Sequence, residues 1–76
     1  MFKLFKNKRS VTITINGESH TCDDNLSLPL LLTSLGFNSR LIALEYNGEI
    51  LHRQYWETTM IKNGDRLEVV TIVGGG

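Results

Sequence analysis

The sequence predicts an α+β fold, with one main helix packed on one face of a mixed four- to five-stranded sheet. Three observations carry that expectation. Residues 11–15 alternate apolar and polar and run into Asn16-Gly17, the strongest short hairpin signal. Leu28, Leu31, Leu32 and Leu35 recur at i, i+3, i+4 and i+7, one apolar stripe of a helix. Residues 66–73 form a strand-like run that passes straight into Gly74-Gly75-Gly76.

Each element follows in order. After the Asn16-Gly17 turn, residues 18–22 read as the returning strand of a hairpin. Asp23-Asp24-Asn25 ends it. Ser27 is a suitable helix N-cap, and Pro29 falls in the first turn, where a missing N–H costs nothing. Leu30 lies off the apolar stripe, Gly36 stops the helix at the C′ position, and Phe37 plugs the core behind it. Residues 41–46 form the third strand, with Ile42, Leu44 and Tyr46 inward and Ala43 and Glu45 outward. Asn47-Gly48 is a second hairpin turn, leading to a short strand over 49–51. Residues 53–60, with Tyr55 and Trp56, read as a turn or a single helical turn. Asn63-Gly64-Asp65 turns the chain into the last strand, with Leu67, Val69 and Thr71 toward the core and Glu68, Val70 and Ile72 on the other side. The order β-β-α-β-β-β, with first and last strands side by side in the middle, is that of a β-grasp (ubiquitin-like) roll. Residues 1–10 form a basic N-terminal extension, 11–73 the β-grasp domain, and 74–76 a flexible glycine tail.

Size and charge narrow the function. A chain of 76 residues buries only about 60% of the surface its unfolded form exposes. That leaves little room for a deep cleft besides a core, and favours a carrier, modifier or binding module over a self-sufficient enzyme. The formal net charge is zero, but Lys3, Lys6, Lys8 and Arg9 lead the chain without an acid, and the remainder sets four basic residues against eight acids. A nucleic-acid binder places a basic stripe on its folded body; this chain does the opposite, so no nucleic-acid partner is expected. The basic lead is a solvated tail. No apolar run approaches the ~20 residues of a membrane span, so no membrane partner is expected, and Phe2, Leu4 and Phe5 are too few for a signal-peptide core. Cys22 is the single cysteine, which makes no intramolecular disulfide and fits a reducing, cytoplasmic setting.

The glycine ending carries the chemistry. Glycines without a Cβ fit a narrow channel, and they end in an α-carboxylate that is anionic at neutral pH. A carboxylate is a poor electrophile until it gains a leaving group. The chain has no GxxxxGK[ST] phosphate loop, so the activating nucleotide belongs to another protein.

Leu44-Glu45-Tyr46-Asn47-Gly48-Glu49-Ile50-Leu51, Arg53, Trp56, residues 63–70 and Val73-Gly74-Gly75-Gly76 together resemble the ThiS family, the small sulfur carriers of thiamine biosynthesis. Ile15-Asn16-Gly17 and the stretch from Leu31 to Phe37 fit the same pattern. The resemblance covers residues 11–76; the family's proline before the arginine is replaced here by His52.

The resemblance implies a protein substrate and carrier, not a catalyst. An E1-like adenylating enzyme would use ATP and Mg²⁺ to adenylate the carboxylate of Gly76. A sulfur donor such as a cysteine desulfurase or a rhodanese would convert it to a thiocarboxylate, and thiazole synthase would receive the sulfur. No cofactor is expected on the chain itself, and the free carrier is expected to be a monomer. Gly74 and Gly75 would thread the tail into the partner. Glu45, Glu68, Val70 and Ile72 would form the docking face beside it.

Three alternatives stand beside this one. The small subunit of molybdopterin synthase is also a β-grasp carrier ending in Gly-Gly. A ubiquitin-like modifier would form isopeptide bonds to lysines. A non-catalytic β-grasp interaction module would make no use of its tail. Other residues invite chemistry less well. Cys22 and His20 share a strand face without a third orienting group, so no catalytic residue is assigned. His20 and His52 lack clustered partners for a metal. Tyr55 and Trp56 read as the floor of a small core.

Overall fold

The computed structural model describes residues 10–72. The strands are β1 (Ser10–Ile15), β2 (Glu18–Asp23), β3 (Ile42–Tyr46), β4 (Glu49–Ile50) and β5 (Arg66–Thr71), with one α-helix, α1 (Leu28–Ser34), and 3-10 turns at Ser39–Leu41 and Arg53–Thr58. They form a five-stranded sheet in the order β2-β1-β5-β3-β4. β1 and β5 are parallel, in register at Thr14↔Arg66 and Ile15↔Leu67; the other pairings are antiparallel. This is the expected β-grasp roll, with the first and last strands adjacent.

Local chemistry explains the elements. Both hairpins turn on Asn-Gly: Asn16 and Gly17 have φ of 52° and 84°, and Asn47 and Gly48 have 53° and 89°. Two successive left-handed residues make the turn whose twist matches the flanking strands. The Ser27 side chain makes no cap hydrogen bond; instead the Leu28 N–H donates to the Thr59 carbonyl. At the other end of α1, Gly36 N–H donates to Thr33 O and Phe37 N–H to Leu32 O, the paired bonds of a Schellman ending.

The core lies between α1 and the inner face of the sheet. Ile13, Ile15, Leu28, Leu31, Leu32, Ile42, Leu44, Trp56, Ile61, Leu67 and Val69 are buried there, with Leu35, Phe37 and Tyr46 packed half-buried against them. Full burial of one such aliphatic side chain contributes about 1.5–3 kcal/mol, which a seven-residue helix needs because its own backbone bonds leave it marginal. Leu30, off the stripe, is exposed.

Beyond shifts of one or two residues in the bounds of β1, β2 and β5, three details depart from expectation. Leu41 belongs to the Ser39–Leu41 turn, so β3 begins at Ile42. β4 stops at Ile50. Thr71 takes its place in the alternation of β5 but is exposed: strand alternation fixes a side, and only packing from above makes that side interior.

Candidate docking face at the base of the tail

The outer face of the sheet is built in rows by strand register. Glu45 of β3 lies directly between Ile50 of β4 and Glu68 of β5. The next row pairs Ala43 with Val70. Beyond the ladder, Ile72 N–H donates to the carbonyl of Leu41 at 2.6 Å, which adds one more rung past the last strand residue. Glu45 and Glu68 are exposed, as are Val70 (59%), Ile72 (45%), Ile50 (68%) and Leu41 (50%). The structure thus brings all four expected docking residues within the described residues, Glu45, Glu68, Val70 and Ile72, onto one face. It adds Ile50, opposite Glu45, which sequence periodicity did not single out because the strand over 49–51 is too short to alternate. Gly74, Gly75 and Gly76 lie outside the described residues.

The electrostatics of this face are one-sided. Carboxylates directly opposite each other across an antiparallel pair repel, yet Glu45 and Glu68 are so placed. Among the described residues the one close approach of a basic to an acidic side chain is His20 Nε2 to Glu18, at 3.9 Å, so no basic side chain there neutralises them. Arg66, two residues before Glu68, reaches instead toward Gly48. An acidic pair between exposed aliphatic side chains can hold a surface that offers cations around an apolar patch.

The leading end of β5 is organised differently. Asp65 is buried at 7% exposure. Its carboxylate accepts from the Tyr46 hydroxyl, from Asn47 Nδ2 at 3.1 Å and from the Lys62 N–H at 2.7 Å. Burial, and then the hydrogen bond to Asp65, push the Tyr46 phenol well above its usual range. Asn47 Oδ1 in turn accepts from the Arg66 N–H, and the Asn16 side chain exchanges two hydrogen bonds with Val69. Sequence reading gave Asp65 only a turn role; its spacing before a strand is no signal of burial.

The other reactive residues are dispersed. Cys22 is half-buried, and burial, followed by the neighbouring Asp23, raises its thiol pKa, which lowers its nucleophilic fraction. His52 is exposed and sits before the second 3-10 turn. Trp56 is buried, its Nε1 donating to Leu51 O at 2.9 Å, and serves the core; Tyr55 next to it is 51% exposed and does not. Among the described residues no cluster of three or more His, Cys, Asp or Glu is placed to hold a metal ion, and no helix is long and apolar enough to cross a membrane.

Comparison with known proteins places the chain. The ThiS family model matches residues 13–76. A crystal structure of a thiamine biosynthesis protein (ThiS) from Geobacter metallireducens superposes with a TM-score of 0.75 at 33% identity, covering 87% of this chain and 100% of that one. The ycf40 protein of Porphyra purpurea is 44% identical over 68 residues, 90% of this chain and 96% of its own. A thiazole synthase of Paramagnetospirillum magneticum is 36% identical over 64 residues, which are 84% of this chain but 20% of that protein.

Proposed function

The chain belongs to the ThiS family, and from that premise we propose that it is a sulfur carrier of thiamine biosynthesis whose Gly76 carboxylate becomes a thiocarboxylate. An oxygen of the carboxylate attacks the α-phosphorus of ATP on an E1-like adenylating enzyme, and pyrophosphate leaves. A persulfide from the sulfur donor attacks the acyl carbon of the adenylate, and AMP leaves. Cleavage of the resulting acyl disulfide by a thiol frees the thiocarboxylate, whose sulfur passes to thiazole synthase. The enzyme partner holds ATP and Mg²⁺; the chain supplies the carboxylate, a thin tail and a face to dock.

The observation that carries this reading is that the family match runs through Gly76. The likeness to a segment of a thiazole synthase favours thiazole formation over the molybdopterin alternative. The outer sheet face fits the docking role: Val70 and Ile72 lead directly to the tail, and Glu45 and Glu68 add an acidic pair beside them. The single cysteine suits a reducing, cytoplasmic setting.

Intact mass of the chain after incubation with the adenylating enzyme, ATP and a sulfur source tests the proposal. A species with one oxygen replaced by sulfur, absent when Gly76 is deleted, is the expected result. A chain whose mass never changes would refute it. Gly75→Val should abolish pyrophosphate exchange while leaving the folded spectrum intact, because a β-branched side chain blocks a channel shaped for bare backbone.

A further inference from the structure

Arg53 is exposed, lies outside the docking face, and yet makes an unusual set of contacts. Its guanidinium sits 4.9 Å from the centre of the Trp56 ring, a cation–π stack on a side chain that is itself buried and pinned to Leu51 O. From that fixed seat Nη1 donates to the carbonyl of Ser39, and Nη2 lies 3.5 Å from the carbonyl of Ile42. These two carbonyls bracket the Ser39–Leu41 turn. The same turn is closed from within by Asn38, whose side chain accepts from the Arg40 N–H and whose carbonyl accepts from the Leu41 N–H. Its last residue, Leu41, offers the carbonyl that holds Ile72 N–H.

The contacts therefore run in one line: Trp56, Arg53, the Ser39–Leu41 turn, Leu41 O, Ile72. We propose that Arg53 is a positioning residue, which fixes the point from which the C-terminal tail departs by locking the turn that clamps Ile72. The proposal rests on the function proposed above. Four residues follow Ile72, and fully extended they reach at most about 14 Å. With so short a reach, a shift of the clamp passes almost undiminished to the carboxylate, and displacement of a reacting group by about 1 Å costs up to about a hundredfold in rate. Arginine suits the role because one planar fork serves two carbonyls while its face stacks on an aromatic ring; lysine, a single point donor, does neither well.

Arg53→Ala and Arg53→Lys test this in two arms. In the first, amide hydrogen exchange by NMR should find Ile72 exchanging about tenfold faster in Arg53→Ala, with mid-strand Leu67 unchanged. In the second, pyrophosphate exchange with the adenylating enzyme should lose about tenfold in kcat with a smaller change in KM, since Glu45, Glu68 and Val70 of the docking face stay in the β3–β5 ladder. Arg53→Lys should fall between in both. A merely structural role would speed exchange everywhere, Leu67 included, and leave the kcat-to-KM split flat. Unchanged protection of Ile72 would overturn the clamp, and loosened Ile72 with unchanged kcat would overturn its role in positioning. Failure of the wild-type chain to support exchange would instead overturn the proposed function, while the first arm still reads the clamp.

Discussion

The two ends of β5 are held in opposite ways. At its leading end, Asp65 draws Tyr46, Asn47 and Lys62 together, Asn47 ties down Arg66, and Leu67 is fully buried. At its trailing end, Val70, Thr71 and Ile72 are all exposed, and one backbone bond to Leu41 carries the strand past its ladder. One strand thus serves as both foundation and platform. Side-chain hydrogen bonds and burial concentrate at the leading end, and exposed aliphatic surface concentrates at the end proposed to meet a partner.

The sharpest way to break that contrast is Leu67→Ala. Leu67 has 0% exposure, so urea unfolding should record a loss of about 3 kcal/mol. Asp65→Ala comes next. It leaves the Tyr46 hydroxyl, Asn47 amide and Lys62 N–H without their acceptor, and the same measurement should give about 2 kcal/mol. A loss below about 0.5 kcal/mol would remove the foundation role of this end.

A smaller effect sharpens the comparison through pH. The Tyr46 phenol is held protonated in the fold above its usual range, while in the unfolded chain it ionises near pH 10. The unfolded state therefore loses its proton first. The stabilising contribution is complete below about pH 10 and is lost as pH rises beyond it. Unfolding midpoints across that window should fall for the wild type and fall less steeply for Tyr46→Phe. The smallest effect is expected at the trailing end: Val70→Ala should change stability by no more than about 0.5 kcal/mol. A loss near that of Leu67→Ala would make the outer face a packed one and end its reading as a platform.

Much of this was legible in the residues. The Asn16-Gly17 and Asn47-Gly48 turns, the leucine stripe of α1 and the outward set Glu45, Glu68, Val70 and Ile72 all follow from turn chemistry and periodicity, which depend on near neighbours. What escaped depends on partners distant in sequence. Asp65 is buried because Tyr46, 19 residues away, points a hydroxyl at it. Ile61 joins the core, and its N–H is bonded to the carbonyl of Leu26, far back in the chain. Thr71 alternates correctly but has nothing above it. Ser27 stands where a cap belongs, yet Thr59 supplies the bond. Pairing of Glu45 with Glu68 required the register. Arg53 and Trp56 were recognisable as part of a family pattern, but their shared purpose needed the two carbonyls of the Ser39–Leu41 turn.

The parallel pairing of β1 with β5 has a consequence for how the chain is made. Ile15 finds its neighbour only when Leu67 exists, and contacts so remote in sequence form late because loop closure must come first. During synthesis the opening hairpin and α1 wait, with one edge of β1 unpaired, until β5 has been made. A chain that stops before β5 lacks the middle of its sheet, and proteases meet it as an unfolded one. A folded chain is therefore one in which β5, the strand that leads into the tail, has already been made.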